Sequence, residues 1–589
     1  MKGVISYFVC LLTIFSVIPV NYAANDYSEK FVVINSGDWR DVYTGILYAG
    51  LMGYDSRFMM SEKHSSWIPN FIDISQEVVL IESGSIPYVI NYRQVLQSDG
   101  YAVDEYKSED FTAANLYFAQ KLAEEKNIKK FIITDDSYGY NAISVAPYAY
   151  LTKSFVLFAD EGNIKQVNEF LKGIEVQSLL FYGELDEEVI EELKGYNHDI
   201  ISQGNRFANN IEIVKRYTQM SGAEQVLITN GQFIESELIS GGMGTEPVIF
   251  IGQDEPPDQV VEFLKTSSFK TGILVGNEYF STARKIKERT GLNIFVKFAQ
   301  SSATGGEFQK VEGLDRFYLP SIELNLTIVD ISYNTKTNQL EIIYKNNGNV
   351  KIYVKSDIGI NADKIRIRAL GDKEAFTIDE GETKGRGYTA DLSEQIMLNQ
   401  ELEASYFVRY GESEGSLERA LEGKFPISII SKEDICDVKI NKVSYDKGIQ
   451  RFFIEVQNLA NATCYVKPGL RNVMVSDEEI DLEYPRIGRL EANETQEFRI
   501  KQRLDEVDIE DNRIVTANVV YGSREEFLVR MYEQDFDLIV IESRFTDKII
   551  KFIKGAWIYI AVIVIIAGLS IYLIKKRKSS KNARKKRTM

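Results

Sequence analysis

Histidine and cysteine are almost absent from this chain of 589 residues, which has two histidines and three cysteines. His64 and His198 stand alone, and neither C-x-x-C nor H-x-x-x-H spacing occurs. Zinc sites and histidine-based catalytic triads therefore lack their usual side chains. No G-x-G-x-x-G or P-loop pattern follows a predicted strand, so nothing indicates a nucleotide site. We predict no catalytic residue, no metal site and no cofactor, and a protein that is not an enzyme.

The few cysteines point to one bridge. Cys10 lies in an apolar N-terminal stretch, which leaves Cys436 and Cys464, 28 positions apart, for the rest of the chain. Two cysteines in one predicted domain of an exported protein are typical of a disulfide. We therefore predict that Cys436 and Cys464 are bonded, with two unpaired buried thiols as the alternative.

Positive charge is in deficit, with 68 Lys and Arg against 86 Asp and Glu and a net charge of −18. Without Lys2 and the nine basic residues of the tail 575–589, that net charge becomes about −28. An acidic surface of this size repels nucleic acid and anionic lipid. We predict that the exported part of the chain has no nucleic-acid partner.

Long apolar runs near the two ends of the chain predict export and membrane insertion. Lys2, an apolar stretch over 9–20 and then Ala23 and Ala24 form the layout of a secretory signal peptide over residues 1–24. An uncleaved anchor is the alternative interpretation of this end. Either interpretation places most of the chain outside the cell.

The second apolar run, residues 556–574, is nineteen residues long, enough to cross a hydrocarbon core of roughly 30 Å as a helix. The tail 575–589 holds basic residues and no acid, so the positive-inside rule predicts that it is cytoplasmic and lies on anionic inner-leaflet lipid. The expected localisation is the cell membrane, with a single pass, the N-terminus outside and an extracellular ectodomain.

The first half of the chain alternates short apolar runs with amphipathic helical stretches. Continuous runs rich in Val, Ile and Phe, joined by helices, are typical of buried and mainly parallel strands. The pattern repeats three times, which predicts α/β modules at residues 25–105, 106–200 and 201–318. A generic doubly wound domain that binds a nucleotide or small ligand is the alternative interpretation of the same strands.

In each repeat, small or polar residues and an aromatic residue follow a strand and precede a helix. Open α/β sheets bind ligands at the carboxyl ends of their strands, so these turns are possible binding sites. Capping of the sheet is the alternative role for the aromatics. The possible binding residues, with one arginine at a helix start, are Gly37, Asp38, Trp39, Asp41, Tyr138, Arg206, Gly231 and Phe233.

Several of these elements resemble the cell-wall-binding repeat type 2 family. Ser36-Gly37-Asp38-Trp39-Arg40-Asp41 is similar to the family's strand-to-helix turn, Pro247-Val248-Ile249-Phe250 to one of its strands, and Arg206 to its helix-start arginine. The second and third copies depart from the pattern because they lack the aspartate of that turn. The resemblance covers residues 28–300 and implies three packed α/β modules that attach non-covalently to an envelope polymer.

The second half is a duplication that alternates in the manner of β-strands. Residues recur at an offset of 112 or 111 positions: Tyr333 as Tyr445, Asn346 as Asn458, and Tyr410 as Tyr521. This register predicts two tandem β-sandwich domains at residues 319–430 and 431–545. The turn 378–383 resembles that of immunoglobulin-like, adhesion-related surface sandwiches. Sequons make glycosylation possible at Asn325, Asn461 and Asn493.

The predicted fold class is multidomain, with three α/β repeat modules that have mainly parallel sheets, two tandem β-sandwiches and one transmembrane helix. The predicted function is that of a membrane-anchored cell-surface protein. Its α/β repeats, carried on a β-sandwich stalk, are expected to bind a cell-envelope polymer or to pack with a surface-layer protein. A cell-surface hydrolase or transferase and a ligand-binding receptor are the alternatives.

Overall fold

The computed structural model of the protein describes residues 28–239, 246–302, 310–476 and 478–541. Three four-stranded parallel sheets come first along the chain, and four mainly antiparallel sheets of four or five strands come after them and pair into two β-sandwiches. We call the first three bodies units 1 to 3 and the last two sandwich 1 and sandwich 2. The predicted signal peptide, residues 1–24, lies outside the described residues.

The three units share one strand order, in which the first strand of each unit lies second in its sheet. Across the sheet, the strands of unit 1 are Asp55–Phe58, Lys30–Asn35, Glu77–Ser83 and Ala102–Ser108. Those of unit 2 are Ser154–Phe158, Lys130–Thr134, Ser178–Tyr182 and His198–Ile201. Those of unit 3 are Val248–Phe250, Gln225–Thr229, Thr271–Val275 and Asn293–Lys297. The repeat predicted from the sequence is thus a repeat of one parallel sheet.

Helices connect these strands. Unit 1 has helices Trp39–Met52, Glu62–Ser65 and Tyr92–Ser98 and the 3-10 turn Ile68–Phe71. Phe111–Lys126, Tyr140–Thr152, Ile164–Lys172 and Glu187–Leu193 belong to unit 2. Arg206–Ser221, Asp258–Thr266 and Phe280–Thr290 belong to unit 3, with the 3-10 turn Asn277–Tyr279. Two short antiparallel pairs accompany unit 3, Phe233–Ile234 with Phe317–Tyr318 and Ala299–Ser302 with Lys310–Gly313.

The first helices of units 2 and 3 have equivalent N-caps and make equivalent hydrogen bonds. Asp110 and Asn205 cap them, each accepting a hydrogen bond from the backbone N–H three residues later, which satisfies a donor that a helix start leaves free. One turn further on, Asn115 and Asn210 each bond both the N–H and the C=O of an edge strand. Asn115 also donates to the hydroxyl of Thr44 in unit 1, and Asn210 to that of Ser144 in unit 2. Each helix therefore belongs to its own unit and also packs against the preceding unit.

The three units form one body. Buried apolar side chains from all three sheets make a continuous core, which includes contacts between units. Trp39 of unit 1 packs edge-on against Phe158 of unit 2 at 5.3 Å between ring centroids, and Tyr140 of unit 2 packs in the same way against Phe250 of unit 3 at 6.3 Å. Burial of such rings dominates the energetics of a core, so the units are not separate, independently packed domains.

Sandwich 1 pairs a four-stranded sheet with a five-stranded sheet. Its strands, sheet by sheet, are Thr383–Thr389, Gln339–Asn346, Leu326–Asn334 and Ser428–Ile430, and then Ile365–Gly371, Ile352–Ala362, Leu402–Gly411 and Arg419–Pro426 with Phe376–Ile378 beside them. Sandwich 1 also holds the helix Ser393–Met397 and the 3-10 turn Glu414–Ser416.

Sandwich 2 has the same strand order. Its strands are Thr495–Lys501, Arg451–Asn458, Val438–Asp446 and Ile539–Ile541, and then Glu478–Glu483, Cys464–Val475, Ile514–Gly522 and Arg530–Asp537 with Gly488–Leu490, and its helix is Glu506–Asp511. Each sandwich has a separate apolar core.

Equivalent residues of the two sandwiches make equivalent contacts. The hydroxyl oxygens of Tyr333 and Tyr445 accept hydrogen bonds from the backbone N–H of Leu392 and Leu504, which are also 112 positions apart. Asn346 and Asn458, both fully buried, each donate to three backbone carbonyls of the neighbouring loops. The predicted duplication and its register are confirmed.

One disulfide joins Cys436 to Cys464, whose Cα atoms are 5.6 Å apart. Both residues are completely buried in the core of sandwich 2. Their counterparts in sandwich 1, Leu324 and Ile352, are buried apolar residues. The bridge predicted from the sequence therefore occupies a position that an apolar contact fills in the other copy.

The predicted fold class and localisation need correction in one respect. Among the described residues, no helix is both long and apolar enough to cross a membrane. The run at 556–574 and the basic tail at 575–589, on which that expectation depended, lie outside the described residues. The architecture that the structure supports consists of parallel α/β units and β-sandwiches, and it does not support the single-pass membrane anchor or its lipid contacts.

Candidate functional site

The turns singled out in the sequence lie at equivalent places in the three units. Gly37, Tyr138 and Gly231 come after the strands Lys30–Asn35, Lys130–Thr134 and Gln225–Thr229, which hold the same position in their sheets. The turns therefore lie at the carboxyl ends of parallel strands, as predicted, where open sheets offer ligand sites. Their surroundings nevertheless differ from unit to unit.

The turn of unit 3 is part of the core. Gly231 has a φ of 77° and approaches the ring of Phe250 so closely that a Cβ there would lie 2.8 Å from it. Phe233 is completely buried, and its strand pairs with the strand that contains Tyr318. Neither residue is free to contact a ligand, so both are structural.

The turn of unit 1 has structural contacts and also borders a cavity. Asp38 caps the helix Trp39–Met52, and only 7% of Trp39 is exposed because its ring packs against Phe158. The turn also borders a shallow cavity of about 380 Å³ between units 1 and 2. The cavity is lined by Gly37, Asp38, Trp39, Arg40, Ile86, Asp136, Phe317, Tyr318 and Pro320. Of the two roles considered for the turn aromatics, ligand contact and capping of the sheet, Trp39 has the capping role.

Asp41 lies behind this turn and is 2% exposed. The hydroxyl of Ser36 donates a hydrogen bond of 2.8 Å to its Oδ2, while its Oδ1 has no partner among the described residues. Burial raises the pKa of Asp41 to about 6, although the hydrogen bond from Ser36 opposes that rise. Its carboxyl group faces the protein interior, where it affects stability and is not available to a ligand.

We expect the stability contribution of Asp41 to depend on pH in a defined direction. An aspartate in the unfolded chain titrates near pH 4, so between about pH 4 and pH 6 the folded state holds a proton that the unfolded state has lost. Stability therefore falls as the pH rises through this window. Relative to the wild type, Asp41→Asn should be more stable by about 1–3 kcal/mol at pH 7 and equally stable near pH 4.

Urea unfolding of both proteins at pH 4, 5, 6 and 7 measures this difference. A difference in unfolding free energy that stays constant over these pH values would show that the carboxyl group of Asp41 does not titrate as described.

The turn of unit 2 borders a cavity that we call the junction cavity. It has a volume of about 420 Å³ and lies where units 2 and 3 meet sandwich 1. Its lining residues are Asp135, Ser137, Tyr138, Tyr140, Asn141, Glu184, Gly204, Asn205, Arg206, Asn209, Ile322, Val350, Lys351 and Glu412. Two of the residues predicted from the sequence, Tyr138 and Arg206, thus come together in one site.

Arg206 forms one wall of the junction cavity. Its guanidinium lies 4.5 Å from the ring centroids of both Tyr140 and Phe207 and 2.6 Å from a carboxylate oxygen of Glu412, and it also contacts Glu418. Burial lowers the pKa of Arg206, but the two carboxylates raise it by more, so the pKa lies above its ordinary value. Only 7% of this side chain is exposed. Arg206 therefore holds unit 3 against sandwich 1 and positions the cavity wall.

The remaining polar groups of the junction cavity suit a ligand rich in hydroxyl groups. Asn141 donates a 2.7 Å hydrogen bond to Asp135, and burial raises the pKa of that aspartate. Glu184 accepts a 2.9 Å hydrogen bond from the backbone N–H of Gly204 at the cavity rim. Amide and carboxylate oxygens accept from hydroxyl groups, and the partly exposed ring of Tyr138 offers an apolar face.

A larger crevice of about 640 Å³ lies between the two sandwiches. Its buried cation, Lys467, contacts Asp379 and Glu382 of sandwich 1 and Glu483 of sandwich 2. Because Lys467 forms ion pairs with carboxylates of both sandwiches, we interpret the crevice as the interface between the two domains. No group of three or more His, Cys, Asp or Glu side chains in the described part of the chain is placed to hold a metal ion.

Some functional residues could not be found from the sequence. Glu412 and Glu418 contact Arg206 across 206 and 212 positions of the chain, and no local pattern marks them.

The three sequon asparagines are exposed, and Nδ2 of Asn493 lies 3.3 Å from Oδ1 of Asn461. Their glycosylation remains a prediction.

Comparisons with known proteins leave the family open. No family model matches the chain, and no curated protein matches it. Among solved structures, "Cwp6 from Clostridium difficile" is 15% identical with a TM-score of 0.38, over 45% of this chain and 44% of that one. The periplasmic chaperone SfaE is 11% identical with a TM-score of 0.14, over 37% of this chain and 100% of the chaperone. The red sea bream transglutaminase is 8% identical with a TM-score of 0.13, over 46% and 34% of the two chains.

The chain thus spans less than half the length of the Cwp6 structure. With TM-scores below 0.5, none of these likenesses bears on function. The resemblance to one particular repeat family therefore remains a prediction, and the function is inferred from the sequence and from the geometry of the site.

Proposed function

We propose that the chain is a cell-surface protein whose α/β units bind a polyhydroxylated polymer of the cell envelope. The observation that carries this proposal is the junction cavity, which collects an aromatic ring, amides and carboxylates at the strand ends of unit 2. Its position obeys the general rule for open α/β sheets. The two sandwiches serve as the support on which the α/β body is held.

Sandwich 1 is more than a support, because it completes the site. Ile322, Val350, Lys351 and Glu412 reach the cavity from the side of sandwich 1. The backbone N–H groups of Asp254 and Glu255 also donate to the carbonyl of Glu418, at 3.1 and 2.9 Å, so sandwich 1 and unit 3 are joined by backbone as well as by ion pairs. A ligand in the cavity would therefore contact a surface preorganised before binding.

We propose binding without turnover. A cell-surface hydrolase at the same cavity is the second candidate, because Asp135, whose pKa is raised by burial, shares the cavity with a second carboxylate, Glu184. Glycoside hydrolysis uses two such carboxyl groups. Incubating isolated envelope polymer with the protein separates the two proposals, since only a hydrolase shortens the polymer.

Tyr138→Ala is expected to weaken binding of isolated envelope polysaccharide to the full-length chain by roughly tenfold or more, because aromatic side chains at a site centre carry much of the binding energy. Binding is measured by co-sedimentation with the polymer. The matched control is Tyr117→Ala, which removes a 39% exposed tyrosine from a surface outside the cavity and should leave binding unchanged. Equal affinities of the Tyr138→Ala variant and the wild type would contradict the assignment of the site.

A further inference from the structure

Two edge strands of the sandwiches carry charges of opposite sign. Ile365–Gly371 lies at the edge of one sheet of sandwich 1, and Glu478–Glu483 lies at the same edge of the corresponding sheet of sandwich 2. The first strand contains two arginines and no acid, whereas the second contains four carboxylates and no basic residue. At the 112-residue offset, positions 366–371 correspond to 478–483, so the duplicated domains differ in charge at one shared position.

Both strands are open to solvent along their outer side. In the described part of the chain, each pairs with strands on one side only, Ile352–Ala362 in sandwich 1 and Cys464–Val475 in sandwich 2. Ile365 is 70% exposed and Ile367 is 39% exposed. Such an edge presents unpaired backbone N–H and C=O groups that can template another strand.

Some of the charged side chains on these two edge strands have no ion-pair partner among the described residues. Neither Arg366 nor Arg368 forms an ion pair with any residue that the structure describes, although the charge of Arg368 acts on nearby Asp391. Glu478 and Glu479 likewise form no ion pair with the described residues. By contrast, the acids further along the second strand are engaged, Asp481 with Arg471 and Glu483 with Lys467. The free charges of one sign therefore lie on one edge and those of the other sign on its counterpart.

We propose that the chain self-associates by pairing the edge strand Ile365–Gly371 of one copy with the edge strand Glu478–Glu483 of a second copy. Strand pairing brings side chains of facing strands to about 4.5–5.5 Å, where opposite charges stabilise and like charges destabilise. Two basic edge strands repel each other, and so do two acidic ones. The charges therefore favour pairing of a basic edge strand with an acidic one. Backbone hydrogen bonds then extend the sheet across the two copies.

Each copy carries both edges, and this decides the form of the assembly. A dimer closes if both strand pairs form between the same two copies, and a chain of copies extends if only one pair forms at a time. This self-association is independent of polymer binding, because both edges belong to the sandwiches and neither contributes to the junction cavity.

Sedimentation velocity of the full-length chain with two charge-reversed variants tests the proposal. The first variant carries Arg366→Glu and Arg368→Glu, so both of its edges are acidic; the second carries Glu478→Arg and Glu479→Arg, which makes the edge of sandwich 2 more basic. The wild type should self-associate at about 0.05 M salt and at least tenfold more weakly at about 1 M. Each variant alone should associate at least about tenfold more weakly than the wild type.

An equimolar mixture of the two variants should recover association, because the first variant keeps the acidic edge Glu478–Glu483 and the second keeps the basic edge Ile365–Gly371. This recovery also shows that the variants are folded. A wild type that stays monomeric at both salt concentrations, variants that associate as the wild type does, or a mixture that remains monomeric would each overturn the proposal.

Discussion

Replacing Arg206 by methionine is expected to lower the free energy of unfolding by about 3–5 kcal/mol, because it leaves buried carboxylates without their cation. Glu412 and Glu418 both contact the guanidinium of Arg206, and Glu418 is 3% exposed. Urea unfolding followed by tryptophan fluorescence measures the change. Adding Glu412→Gln and Glu418→Gln to the same chain should restore part of the loss, since neutral amides are less costly to bury than unpaired charges.

Arg216→Met is the matched control, because Arg216 lies on the same helix as Arg206. Its ion pair with Asp199, at 2.6 Å, joins side chains that are 27% and 66% exposed, and exposed pairs contribute at most about 1 kcal/mol. If both arginine variants lost the same small amount of stability, the contact between unit 3 and sandwich 1 would not depend on a buried charge cluster.

Asn210→Ala is expected to cost about 2–4 kcal/mol, since it leaves buried backbone groups of an edge strand without partners. Nδ2 of Asn210 donates to the carbonyl of Val248 at 2.9 Å and to Oγ of Ser144 at 2.7 Å, and the N–H of Phe250 donates to its Oδ1 at 2.8 Å. The loss should be largest for the short strand Val248–Phe250. Chemical unfolding measures the total cost, and amide hydrogen exchange locates it.

Asn197→Ala serves as the control for that substitution. Asn197 is exposed, and its Nδ2 also donates to a backbone carbonyl, that of Gln177, at 3.2 Å. Removing an exposed hydrogen bond of this kind should change stability by about 0.5 kcal/mol or less. Equal effects of the two alanine substitutions would contradict the role of Asn210 in holding units 2 and 3 together.

The parts of the fold that the sequence predicts well are those whose cause is local or repeated. The offset of 112 predicts the two sandwiches because residues such as Tyr333 and Tyr445 keep the same hydrogen bond in both copies. Continuous apolar runs predict parallel strands because both faces of each sheet are covered. The turns are placed at strand ends because a change from strand to helical periodicity is visible in the chain itself.

The parts that the sequence does not predict depend on contacts between distant residues. An aromatic residue after a strand has the same sequence pattern whether it is buried, as Trp39 and Phe233 are, or partly exposed, as Tyr138 is. Similarly, the arginine at the start of a helix is expected to bind ligand, but two carboxylates more than 200 positions away occupy Arg206. Which turn forms a cavity is decided by the packing of units and sandwiches.

Hydrogen exchange of the full-length chain, with and without isolated envelope polysaccharide, tests most directly whether the junction cavity is the binding site. Slower exchange on adding the polymer is predicted at residues 135–141 and 204–209, which contribute most of the cavity wall, with little change in sandwich 2. Slower exchange confined to residues 438–541, with residues 135–141 unchanged, would contradict the proposed function.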